Sequence, residues 1–141
     1  MMLKPYRLGV LLLTLLALPV MPSAPALAAP SAAAKGHTAA QITDFLTRFY
    51  GHHGPSAHDR ENYVSQVLRE RQQVNEEVDV LLCAQNEPQR ISIGPVTVAQ
   101  TAAVGWSTVT THWASGGTDT FTAYVRLDSK PIRLDDVICA G

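Results

Sequence analysis

The stretch Ile91 to Cys139, ISIGPVTVAQTAAVGWSTVTTHWASGGTDTFTAYVRLDSKPIRLDDVIC, decides the fold. Its hydrophobic period is near 2, whereas the residues before it repeat near 3.6. From Thr120 to Leu127 the alternation is clean, with Phe121, Ala123, Val125 and Leu127 on one face and Thr120, Thr122, Tyr124 and Arg126 on the other. This is the signature of a half-buried antiparallel strand. Ile91 and Ile93, then Val96 and Val98 beyond Gly94-Pro95, predict a first strand. The proline places it at an edge or a bulge, since it has no N–H for a ladder. Ala102 to Trp113 reads as a long strand in which apolar residues fall on both faces, so a bulge or two-sided burial is expected. Ser115-Gly116-Gly117 supplies a hairpin loop, and Asp128-Ser129-Lys130-Pro131 supplies a turn. Ile132, Leu134 and Ile138 belong to a last strand ending at Cys139.

Upstream the chain is helical. Thr38-x-x-Gln41 has the form of a capping box, followed by an apolar stripe of Ile42, Phe45, Leu46, Phe49 and Tyr50. Asp44 and Arg48, four apart, are expected to pair on the outer side. Gly51 and Gly54-Pro55 end this helix. A second helix is expected from Ser56 or Asp59 to about Gln73. Tyr63, Val64, Val67, Leu68 and Arg71 form its inner stripe, with Arg60, Glu61, Arg69 and Glu70 outside. Glu76 to Cys83 fits a helical turn or a strand, and its leading acids favour a short helix. Helices gathered before hairpin-spaced strands give an α+β domain, the helices packed on one face of an antiparallel sheet of about four strands.

The first 28 residues read as a signal peptide. Lys4 and Arg7 precede the apolar run Leu8 to Leu18, and Ala26-Leu27-Ala28 has the small-x-small form of a cleavage site. The run is shorter than the roughly 20 apolar residues that span a bilayer. No stable membrane anchor is therefore expected after cleavage. Residues 29–37 are expected to be a flexible leader and 38–141 a single domain. Removing Lys4 and Arg7 leaves 9 basic residues against 12 acidic ones, a net charge of −3. That balance argues against nucleic acid as a partner, because such binding relies on a basic surface to displace counterions. Cys83 and Cys139 are the only cysteines, so an oxidising compartment leaves one intrachain pairing. A periplasmic or secreted protein with a Cys83–Cys139 disulfide is expected.

The segments FLTRFY at Phe45–Tyr50, VLLCAQNEP at Val80–Pro88 and PIRLDDVIC at Pro131–Cys139 carry a resemblance. The layout is similar to the nuclear-transport-factor-two-like (cystatin-like) superfold, and within it to a bacterial exported branch of unassigned function. In that branch an aromatic pair ends the first helix, here Phe49-Tyr50, and an apolar-x-x-Asp-apolar strand ends the domain, here Ile132 to Val137. The resemblance covers about Ala40 to Cys139. It lacks the branch's frequent lipobox and has Arg133 where a tryptophan is common. It implies a curved sheet wrapped on helices as a cone, with a pocket at the open end, and it assigns no catalytic residue.

Candidate chemistry is sparse. His52, His53 and His58 lie on one polar turn and could together face a zinc or copper ion, but no H-x-x-x-H or H-E-x-x-H spacing fixes them. No metal or cofactor is assigned. An acid–base site in the cone would draw on Tyr50, Tyr63, His112 or Tyr124. Trp106, Trp113 and Tyr124 could instead form an aromatic patch for a partner. A G-x-S-x-G elbow and a phosphate-binding glycine loop are both missing from the sequence. The reading is a non-catalytic domain that binds an unidentified protein or a small apolar ligand through Tyr50, Tyr63, Trp106, His112, Trp113 and Tyr124. Two alternatives stay open, a periplasmic immunity protein that neutralises a toxin and a small-molecule isomerase or dehydratase with an interior pocket.

Overall fold

The computed structural model describes Gly9, residues 19–25 and residues 35–141. The expected apolar run, its cleavage site and the leader up to residue 34 lie outside the described residues. Residues 19–25 carry neither helix nor strand and are exposed. Among the described residues, no helix is long and apolar enough to cross a membrane.

Residues 35–141 form the α+β arrangement expected. Helix α1 spans Ala39–Tyr50, α2 Ala57–Asn62 and α3 Gln66–Gln73, followed by strands β1 Arg90–Ile93, β2 Thr97–Ala99, β3 Val104–His112, β4 Thr118–Arg126 and β5 Leu134–Cys139. The strands make one curved antiparallel sheet, ordered β1-β3-β4-β5, with β2 also paired to β3. The capping box forms as read, Gln41 N donating to Thr38 Oγ1 at 3.2 Å and Thr38 N to Gln41 Oε1 at 2.9 Å. The buried residues of α1 are the five of its apolar stripe. They pack on the inner sheet face, where Tyr50 meets Phe121 with ring centroids 5.6 Å apart. Cys83 and Cys139 are bridged, their Cα atoms 5.6 Å apart.

Two bulges set which side chains point inward. On the first edge, β1 and β2 are one strand interrupted at Gly94-Pro95-Val96. Ile93 opposes Val109 and Thr97 opposes Trp106, so one more residue lies between them on the edge than on β3. Pro95 sits in the interruption, where no ladder N–H is required. Ser107 Oγ donates to Gly94 O at 2.7 Å and ties the bulge to β3. In β5, Tyr124 opposes Asp136 but Val125 opposes Leu134, leaving Asp135 as the extra residue. Leu134 and Val137 therefore both face the core and Ile138 is 54% exposed, while Ile132, expected in this strand, lies in the turn before it.

Several expectations need correction. The second helix is two. Ser65 caps α3, its Oγ accepting from Leu68 N at 3.3 Å. Val64 bridges in parallel to Leu134, and Ser65 N donates to Leu134 O at 2.8 Å. A β-branched residue followed by a capping serine gave the backbone an alternative to helix, and β5 took it. As a result Val67, expected inside, is 61% exposed. Arg60, expected outside, is half-buried and pairs with Asp79 at 2.6 Å.

Glu76 to Cys83 is neither helix nor strand but a turn, exposed at Glu76 and Glu77 and buried from Val80 to Leu82, closed by Asp79 N donating to Ala84 O at 2.8 Å. Gln72 satisfies its backbone, accepting from Val80 N and donating to Val78 O, both at 2.9 Å. Leu81 and Leu82 fill the space beneath. Residues 35–37, expected within the flexible leader, are held in place. His37 N donates to Leu127 O at 2.9 Å, and a Cβ on Gly36, at φ +79, would collide with that carbonyl. His37 is therefore tied to the turn after β4, and Lys35 N donates to Gln100 Oε1 at 3.3 Å.

Candidate functional site

The long strand β3 has no bulge, and its pairing with β4 keeps one register from Val104↔Arg126 to His112↔Thr118. Gly105, Ser107, Val109 and Thr111 point inward, while Trp106, Thr108 and His112 point outward. The inward set is small and partly polar, and each member has a local reason. Gly105 leaves room for Ile42 of α1, Ser107 holds the bulge, and Thr111 Oγ1 donates to Asp119 O at 3.3 Å. Trp106 and Tyr124 are thus a cross-strand pair on the outer face, with centroids 6.2 Å apart. Trp113 lies past the end of β3, where its indole donates to Asp119 Oδ2 at 2.7 Å. The three aromatics do not form one patch.

The groups expected as acid or base in an interior pocket are either locked in the core or placed on the surface. Tyr50 is fully buried and its hydroxyl donates to Leu81 O at 3.1 Å. Burial first, and the nearby Asp79 second, push its phenol well above the ordinary tyrosine value, with Arg60 acting in the opposite sense. That is the wrong direction for proton exchange near neutrality. His112 and Tyr124 are on the outer face.

One constellation escaped the sequence reading. Ser92 Oγ lies 3.1 Å from His112 Nε2, and Arg90 Nη2 lies 3.2 Å from His112 Nδ1. A guanidinium only donates, so Nδ1 accepts and the ring proton sits on Nε2, which then donates to Ser92. An activated serine needs the opposite arrangement, with its hydroxyl donating to an unprotonated Nε2. This cluster braces the sheet edge.

The histidines of the first turn do not converge. His53 Nδ1 faces Pro88 O at 2.9 Å, His52 and His53 are 6.2 Å apart by centroid, and His58 stacks elsewhere. Among the described residues no group of three potential ligands could hold a metal ion.

Instead His58 and Tyr63 meet each other. Their rings are 6.0 Å apart near edge-on, at the rim of a cleft of about 430 Å³ between α1, α2 and the turn before β5. Phe45 and Phe49, 5.4 Å apart by centroid, form its floor together with the half-buried Ile132. The floor is rigid because Phe49 packs edge-on against Tyr50 at 5.1 Å, and Tyr50 against Phe121. Arg48 and Asp59 complete the rim. The expected Asp44–Arg48 pair is absent from the ion pairs, and among the described residues Arg48 has no charged partner. Asp59 accepts from Ser56 Oγ at 2.9 Å, the serine that caps α2. The sequence reading named Tyr63 and His58 separately and missed Phe45, Arg48, Phe49, Asp59 and Ile132. The available signal was a cation three positions after Phe45, exposed at the flank of the apolar stripe of α1.

No known protein family, no curated protein and no solved structure matches this chain.

Proposed function

We infer that the chain is an exported, disulfide-stapled binding domain on a nuclear-transport-factor-two-like plan, and that it takes a small ligand non-catalytically in the α1–α2 cleft. The composition of the cleft carries this reading: a narrow aromatic floor, nearly buried and fixed by core packing, beneath a polar rim of Arg48, His58, Asp59 and Tyr63 whose guanidinium has no charged partner among the described residues. Small-molecule sites are commonly apolar concavities of roughly 300–1,000 Å³ with a few convergent polar groups. The cleft, at about 430 Å³, falls within that range. The disulfide and the basic-then-apolar N-terminus both favour a periplasmic or secreted location.

Thermal-shift screening of the domain against small molecules with an apolar body and one ionised group tests the reading. A ligand at ten times its Kd adds about 1.4 kcal/mol of stability, a shift of several degrees. The shift is expected to shrink in Arg48→Ala and Tyr63→Ala variants. Equal shifts in both variants and the parent protein would place the site elsewhere.

A further inference from the structure

The rim of the cleft carries charges of opposite sign that do not neutralise each other. Arg48 on α1 and Asp59 on α2 both line it, yet no ion pair joins them within 4.0 Å. Between them lies the floor of Phe45, Phe49 and Ile132. His58 adds a donor of fixed identity. Asn62 Nδ2 lies 3.3 Å from His58 Nδ1, so Nδ1 accepts and Nε2–H is left to donate. An anionic ligand alone would meet repulsion from Asp59, and a cationic one alone repulsion from Arg48. A ligand bearing both charges on one carbon, with an apolar side chain, answers the whole lining.

Resting on the cleft reading above, we propose that the site binds a zwitterion with an aromatic or large aliphatic side chain, that is, a free apolar α-amino acid. Its carboxylate meets Arg48, with His58 as a second donor, and its ammonium meets Asp59. The side chain lies on Phe45 and Phe49. Asp59 can accept from the ammonium while keeping its bond from Ser56, since a carboxylate has about four lone-pair sites. Arg48 is suited to a carboxylate because its planar fork can donate twice.

Calorimetry on the residue 35–141 domain within the full mature chain decides the matter with four probes: L-phenylalanine, its amide, its N-acetyl derivative and 2-phenylethanol. L-phenylalanine is expected to bind best. Blocking either charge should weaken binding about tenfold, the loss of one charge-assisted contact at a partly exposed site. Arg48→Gln should level phenylalanine with its amide, and Asp59→Asn should level it with the N-acetyl derivative. Asp59→Asn keeps side-chain size and Arg48→Gln shortens an exposed side chain, both outside the core, and the probe comparison on the unaltered protein stands whether or not the variants fold. If the blocked or neutral compounds bind as tightly as phenylalanine, the zwitterion inference is overturned and cleft binding survives. If none of the four binds, both fail.

Discussion

The close approach of α1 to the sheet at Gly105 gives a sharp test of the packing. A Cβ placed on Gly105 would lie 2.5 Å from Ile42 Cδ1, 3.4 Å from Thr97 O and 3.5 Å from Val98 Cγ2. Carbon atoms settle at about 3.5–4.0 Å, so Gly105→Ala requires Ile42 to retreat by about 1 Å, the difference between those figures. Ile42 is fully buried and has no solvent to move into. Overpacking of this kind costs roughly 1–3 kcal/mol. Replacing glycine within a strand returns about 0.4–1 kcal/mol through the unfolded chain. The net expectation is a loss of about 1–2 kcal/mol.

Ile42→Val deletes the Cδ1 methyl and costs about 0.5–1.5 kcal/mol alone. In the double variant the new Cβ occupies the space that methyl vacated. The two changes together should therefore cost about 1 kcal/mol less than the sum of each alone, within the range seen for touching residues. Urea unfolding of the four proteins, followed by tryptophan fluorescence and far-ultraviolet dichroism, measures the coupling. Additivity within about 0.3 kcal/mol would refute the claim that α1 lies on the sheet through this pair.

The disulfide joins residues separated by 56 positions, so its loss in a Cys83→Ser, Cys139→Ser variant should cost about 4 kcal/mol. A loss below about 1 kcal/mol would mean that the unfolded chain is already constrained. Asp135 sits at the β5 bulge with its carboxyl raised above the ordinary value, chiefly by burial, against an opposing pull from Arg126. A raised native value leaves stability intact below the unfolded value near about 3.9 and erodes it as pH rises through the native one. Asp135→Asn should therefore stabilise the domain at pH 7 and lose that advantage below about pH 4; an advantage that grew on acidification would contradict the placement. Above about pH 10 the unfolded chain loses the Tyr50 proton while the fold retains it, so stability should fall by up to about 1.4 kcal/mol per pH unit from this group. Unfolding curves for Tyr50→Phe should lack that slope, and parallel pH profiles for the two proteins would contradict burial of a committed phenol.

Much of the fold was legible because some segments have one strong periodicity. Ile42, Phe45, Leu46, Phe49 and Tyr50 are large and apolar at helical spacing behind a capping box, and all five are buried. The alternation of Phe121, Ala123, Val125 and Leu127 matches the inner face of β4 and the turn beyond it. Strand β3 was illegible for a physical reason. Its inner face needed a glycine for close approach and two hydroxyls for local bonds, so the apolar residues Val104 and Trp106 were left on the outer face. Tertiary pairing broke the second helix, since Val64 and Ser65 joined Leu134, seventy positions away by the Val64–Leu134 bridge. The buried turn near Asp79 depends on Gln72 and Arg60 from other elements, which no local pattern displays. The cleft was hidden similarly. Its floor reads as ordinary core, and Ile132 reaches it from the far end of the chain.

Residue-resolved NMR titration tests the central claim that recognition occurs at the cleft and not on the outer sheet face. Isotope-labelled protein is titrated with L-phenylalanine while the amide and aromatic resonances are followed. Saturable shifts confined to Phe45, Arg48, Phe49, His58, Asp59, Tyr63 and Ile132 are expected, with Trp106 and Tyr124 unmoved. Shifts centred on Trp106 and Tyr124, with the cleft silent, would contradict it.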